Sequence, residues 1–237
     1  MRRAGKALGI LLGGAIGAAA GAEPPDRAAP APAAMAAPAP RMTLADVVQP
    51  EFRDAVLRVV RNPTISTRAT GEEVVCTVAV YEWLYDHPDR VAMAWRRLKV
   101  PAVTITDLGD GRFAWGDENG SEVVWQTVGK FADGRVWYAT GRVKGGKLTP
   151  AIPVQGVIVV THPKKKEADG VALFQPSAQA YMHSDSRAAN VALKALGPTA
   201  PRLAEDAAAQ LLDFFGGVAN YVQRHPKEAD KLLAPGK

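Results

Sequence analysis

The chain is short of the residues that most often carry chemistry. It has one cysteine in 237 residues, Cys76, so no disulfide can close within it and no thiolate metal site can be built. Its four histidines, His87, His162, His183 and His225, are scattered with no HxH or HxxxH spacing, and no metal or other cofactor is expected. A nucleophile elbow of the G-x-S-x-G type is missing. Neither a phosphate loop nor a pair of carboxylates on one face is legible. Long apolar runs are lacking too: the longest, residues 7–19, falls below the roughly 18 residues a membrane anchor needs.

What the N-terminus does have is an export pattern. Arg2, Arg3 and Lys6 form a basic start, residues 7–19 an apolar stretch rich in Gly and Ala, and Ala20-Gly21-Ala22 a small-x-small cleavage site. Residues 1–22 are read as a signal peptide, so the expected location is the periplasm or the extracellular space. The mature chain then keeps 26 of the 29 basic residues against 24 acidic ones. A formal charge of +2 is no nucleic-acid footprint. Residues 23–41 are nearly all Ala and Pro and read as an extended linker. Residues 42–237 are expected to form one domain.

Within that domain the hydrophobic period changes twice. Residues 43–61 read as two short helices interrupted at Pro50, with Thr43 as cap. "TISTRA" and "EEVVC" read as extended. Thr77 can cap a helix whose apolar face is Val80, Trp83 and Leu84, and Pro88 can start another bearing Val91, Trp95 and Leu98. From 102 to 182 the turn signals "GDG", "DENG", "ADG", "KGG" and "EADG" separate β-branched and aromatic stretches. Serial hairpins of this kind predict an antiparallel meander of six strands, with one more near residues 72–76. Lys164, Lys165 and Lys166 fall in a predicted hairpin loop, where peripheral contact with an anionic membrane surface is open to them. A short helix is expected at 186–196, stopped by Gly197-Pro198. A long one comes next, at about 200–224, with Ala204, Ala208, Leu211, Phe215, Val218 and Val222 on one stripe. Gly216-Gly217 interrupts that stripe at about 1 kcal/mol each, which calls for a close approach, a hinge or room for a ligand.

The segment "YMHSDS" places His183, Ser184 and Asp185 side by side. Neighbours in a strand face opposite sides, so these three cannot converge as a triad. Ser184 or Asp185 is expected to end the last strand and cap the helix that starts near Ser186. His162 and His183 stand at strand ends without a partner legible in the sequence.

The order of elements, with "VVCTVAVYEWLYDHPDRVAMAW" near its start, resembles the START/polyketide-cyclase (SRPBCC, Bet v 1-like) superfamily. Thr77, Val80, Trp83, Leu84 and Asp86 carry the likeness, together with "PVQGVIVVTHP", "VALFQPSAQAYMHSD" and the final long helix. The resemblance implies an α+β helix-grip fold: a curved antiparallel sheet of about seven strands wrapped on the C-terminal helix, here with extra N-terminal helices. It also implies an apolar cavity between sheet and helix, lined by Trp95, Trp125, Tyr138, Phe174, Tyr181, Leu211, Phe215 and Val218. The function this implies is non-enzymatic binding or transport of a hydrophobic, lipid-like small molecule. Two alternatives stand beside it. One is a cyclase- or hydratase-type enzyme with His, Arg or Glu residues converging in the cavity (candidate polar residues are Glu122, Gln126, Arg142, Gln155, Gln175 and Gln179). The other is an envelope interaction domain with a filled core.

Overall fold

The structure, a computed structural model, describes residues 43–144, 151–187, 189 and 199–235. The expected signal peptide and linker, part of the "KGG" turn and most of the helix expected at 186–196 lie outside the described residues. No helix among the described residues is long and apolar enough to cross a membrane.

Ten strands form two antiparallel sheets. They are β1 (Ile65–Thr70), β2 (Val74–Cys76), β3 (Ile105–Gly109), β4 (Arg112–Gly116), β5 (Glu122–Phe131), β6 (Gly134–Val143), β7 (Ile152–Thr161), β8 (Lys164–Ala168), β9 (Val171–Phe174) and β10 (Ser177–His183). The main sheet has the order β1-β10-β7-β6-β5-β4-β3, and the smaller one β2-β9-β8. The helices are α1 (Leu44–Val47), α2 (Pro50–Arg61), α3 (Val78–Asp86), α4 (Pro88–Arg97), the long α5 (Thr199–Arg224) and a short α6 (Ala229–Leu233). This is the expected α+β arrangement: a seven-stranded antiparallel sheet gripping a long C-terminal helix, with short helices ahead of it.

The local chemistry explains the boundaries. Thr43 and Asp46 close a reciprocal capping box on α1, and Pro50 opens α2, where a proline's missing N–H costs nothing. The Thr77 hydroxyl accepts the Val80 amide and caps α3. Asp110-Gly111 and Asp169-Gly170 all take positive φ, the left-handed pairs that tight hairpin turns require. A bulge between Thr127 and Gly129 bends β5, as an extra residue in one strand does.

Four expectations need correction. The last predicted strand is two: the chain breaks at Gln175-Pro176, because proline offers no ladder donor. β9 therefore joins the small sheet and only β10 stays in the main one. β1, not the 72–76 segment, completes the main sheet. The lysine run is not a loop but edge strand β8. Lys164 pairs with Glu167, and Lys165 with Glu73 and Gln175, so two of the three charges are answered within the fold. Fourth, α3 is rotated: it buries Tyr81, Leu84 and Tyr85, while Trp83 is exposed and stacks on His87 at 4.2 Å.

The two faces of the main sheet are both covered. On one, Val56 and Val59 of α2 pack with Val128, Val136 and Val157, which gives the leading helices their role. On the other, the buried face of α5 meets the sheet in the main core. The glycine pair marks two close approaches of α5, Gly216 to the small sheet and Gly217 to α4. A Cβ on Gly216 would lie 2.8 Å from Val74, and one on Gly217 would lie 2.6 Å from the ring of Trp95. Close approach is therefore the reason for both glycines. Three residues further on, Asn220 Oδ1 accepts the Val75 amide at 2.8 Å and its Nδ2 donates to the Glu73 carbonyl. A helix side chain thus stands in for the strand that edge strand β2 lacks.

Gly217→Ala is expected to lower stability by about 1–2 kcal/mol in urea unfolding, because overpacking outweighs the roughly 1 kcal/mol gain in helix propensity. The Trp95 ring cannot swing aside freely, since its Nε1 donates to the Phe214 carbonyl at 2.9 Å. A more stable variant would contradict the close approach.

Candidate functional site

Between α5 and the main sheet lies a cavity of about 310 Å³, at the lower end of small-molecule sites. It exists because side-chain size is graded along α5. The first half offers Ala204, Ala207 and Ala208 to the space, and these are too small to reach the sheet. The second half fills its side with Phe214, Phe215, Val218 and Val222. Across the gap the sheet is small-faced as well, at Ala139, Gly156 and Ala180.

Period-two alternation decides which strand residues face the cavity. On β6, Trp137 and Ala139 do, and on β5, Val123 and Trp125. Ile105 of β3 and Trp115 of β4 complete that wall, while Ile158 on β7 and Ala180 and Met182 on β10 form the centre. The Trp137 Nε1 donates to Thr127 Oγ1 at 3.1 Å. The Trp115 Nε1 is buried with no acceptor among the described residues.

Of the eight residues expected to line the cavity, Trp125, Leu211, Phe215 and Tyr181 border it. Tyr181 does so from the opposite parity to Ala180 and Met182, and its apolar packing is with the α2 cluster. The other four do not line it. Tyr138 faces α2, with its ring 6.1 Å from Phe52. Phe174 left with β9 and packs on Tyr81 at 5.0 Å. Trp95 is the wedge against Gly217, and Val218 is fully buried at the packed end of α5. Trp115, Trp137, Phe214 and the alanines were left out of the expected set. The alternation of Trp137 with Tyr138 was the signal for one of them, but it could not say which parity was inward.

Polar groups gather at one end, where β4 turns into β5 and β6 ends. Asp117, Asn119 and Lys144 border the cavity there. Burial raises the Asp117 carboxyl, but the hydrogen bonds that its Oδ1 accepts from the Ser121 and Asn119 amides, at 2.8 and 2.9 Å, outweigh this and hold it below the usual range. The Lys144 amide donates to Ser121 Oγ at 3.0 Å, tying the end of β6 to the same turn. Of the candidate polar residues, only Gln155 borders the cavity, and its Oε1 accepts from Arg58 at 2.8 Å. Gln175 instead donates to the Gly71 carbonyl.

Behind the aromatic wall lies a charged knot. Arg135, fully buried, donates to Asp86 at 2.5 Å and to Glu82. His162 meets Glu82 at 2.5 Å, and Lys130 meets Asp86 at 2.9 Å. Glu82 and Asp86, one turn apart on α3, are therefore a carboxylate pair on one face, which corrects the expectation of none. They also give His162 its partner. Tyr85 lies over the Arg135 guanidinium at 4.9 Å and stacks on His162, and two of its other aromatic neighbours, Trp137 and Phe215, line the cavity. The knot thus pins α3 to β6 and to the residue that follows β7, and it backs the Trp137 and Phe215 side of the cavity.

The "HSD" segment is not a triad. Ser184 Oγ donates to the Pro153 carbonyl at 2.6 Å and accepts the Ser186 amide, so it punctuates the chain end. His183 instead bridges the Asn62 carbonyl and Asp185.

No protein-family model matches the chain, and no curated protein matches it. Solved structures similar to it include a conserved protein from Geobacillus kaustophilus, with a TM-score of 0.44 and 11% identity over 67% of this chain and 97% of that one. A hypothetical protein from Helicobacter pylori has a TM-score of 0.36 and 15% identity over 65% and 88%. An uncharacterized protein from Rhizobium leguminosarum has a TM-score of 0.33 and 12% identity over 64% and 98%.

Burial raises the carboxyl groups of Glu82 and Asp86, but the hydrogen bonds from His162 and Lys130 and the charge of Arg135 outweigh it and hold both below their ordinary values of 4.5 and 3.8. A depressed carboxylate stabilises the fold above its unfolded value and loses that contribution as the pH falls through its folded one. The thermal midpoint should therefore fall as the pH drops below about 4.5, and Glu82→Gln should flatten part of that fall. An unchanged acid profile would contradict the knot.

Proposed function

We propose that the chain is an exported binder or carrier of a small hydrophobic molecule, held in the cavity between α5 and the main sheet, and that it does not turn that molecule over. The observation that carries this is the graded face of α5: alanines opposite small sheet residues leave an apolar space that the fold has large aromatics on hand to fill, and does not. Three tryptophan rings, Trp115, Trp125 and Trp137, wall that space, and burying apolar surface contributes about 0.8 kcal/mol per methylene. The basic start, apolar stretch and Ala20-Gly21-Ala22 site of the N-terminus support export. Among the described lining residues there is no histidine, arginine or glutamate, which favours binding over a cyclase or hydratase site. A cavity of this size favours binding over a filled-core interaction domain.

Filling the space tests the reading. Wild-type protein should take up a neutral polarity-sensitive dye such as Nile red, with quenching or a shift of tryptophan emission. Ala208→Phe should weaken that uptake by at least about tenfold, which is 1.4 kcal/mol, while its thermal midpoint stays level or rises, as cavity filling does. Uptake that is absent in the wild type, or indifferent to the filled cavity, would count against the reading.

A further inference from the structure

The apolar cavity has one polar end, and that end offers donors. Lys144 borders it, and its Nζ lies close over the β4–β5 turn, 3.5 Å from where a Cβ on Gly120 would stand. No carboxylate among the described residues lies within 4 Å of that ammonium. The nearby acid, Asp117, which also borders this end, has its Oδ1 engaged by the Asn119 and Ser121 amides.

Resting on the binding function proposed above, we infer that the ligand is a single-chain amphiphile with an anionic oxygen head group, a fatty-acid type of molecule. Its tail lies along the alanine face of α5, between the Trp125 and Trp137 rings. Its head meets the Lys144 ammonium. A charge-assisted hydrogen bond of this kind is stronger than a neutral one. The head therefore selects among ligands of equal tail length, while the tail supplies most of the affinity.

Three molecules with one tail separate the two claims: dodecanoate, dodecanol and the dodecylammonium ion, each titrated into the full chain by tryptophan emission at low salt. Dodecanoate should bind about tenfold more tightly than dodecanol. Lys144→Met, which keeps the apolar stem, should bring dodecanoate down to the level of dodecanol without moving the alcohol, and Lys144→Arg should keep the preference. Equal binding of acid and alcohol by the wild type, or tightest binding of the ammonium ion, overturns the anionic head and leaves the cavity function intact. Failure of all three to bind overturns both.

Discussion

The structure depends on a helix that is pinned at one end and held off at the other. At the C-terminal half of α5, two glycines let the backbone meet Val74 and Trp95 at contact distance, and Asn220 fastens the edge of β2 three residues later. At the N-terminal half nothing larger than alanine faces the sheet until Leu211. Protein interiors are packed like organic crystals, so a space of this size does not arise from careless packing. It comes from side-chain volume arranged in one direction along a single helix.

A helix held off the sheet needs the rest of the molecule to resist collapse. The outer face is braced by valines of α2 against valines of β5, β6 and β7, and the leading helices earn their place there. The Trp137 and Phe215 side of the cavity is braced by charge. Arg135 reaches across to both carboxylates of α3, and a planar fork serves two partners where a lysine would serve one. Such a buried ion pair is weak evidence for stability in itself. Its consequence here is geometric: Tyr85 is fixed against His162 and Arg135, and so are the Trp137 and Phe215 rings that it touches.

How much of this was legible in the sequence depends on the physical reach of each signal. The stripe on α5 was readable because a 3.6-residue period extends over seven turns, and the Pro50 and Thr77 boundaries because their chemistry is local. β8 was hidden because an edge strand exposed along its length shows no alternation, and lysines are what such an edge carries. β9 and β10 read as one strand because Pro176 breaks the ladder without breaking the run of apolar residues. The cavity wall was half legible. Alternation pairs Trp137 with Ala139 and Tyr138 with Thr140, but only tertiary packing decides which pair turns inward. Arg135 shares the parity of Trp137 on β6, and Glu82 and Asp86 share a helix face four residues apart. Each half of the charged knot was thus visible, and their meeting across 49 residues was not.

The most direct test of the central claim, that the cavity holds an apolar guest, is native mass spectrometry of the full chain purified without detergent, with organic extraction of the same sample. The account predicts a defined mass adduct that extracts as a lipid-like molecule. A clean apo mass, from protein that also takes up no fatty acid or sterol when offered one, would contradict it.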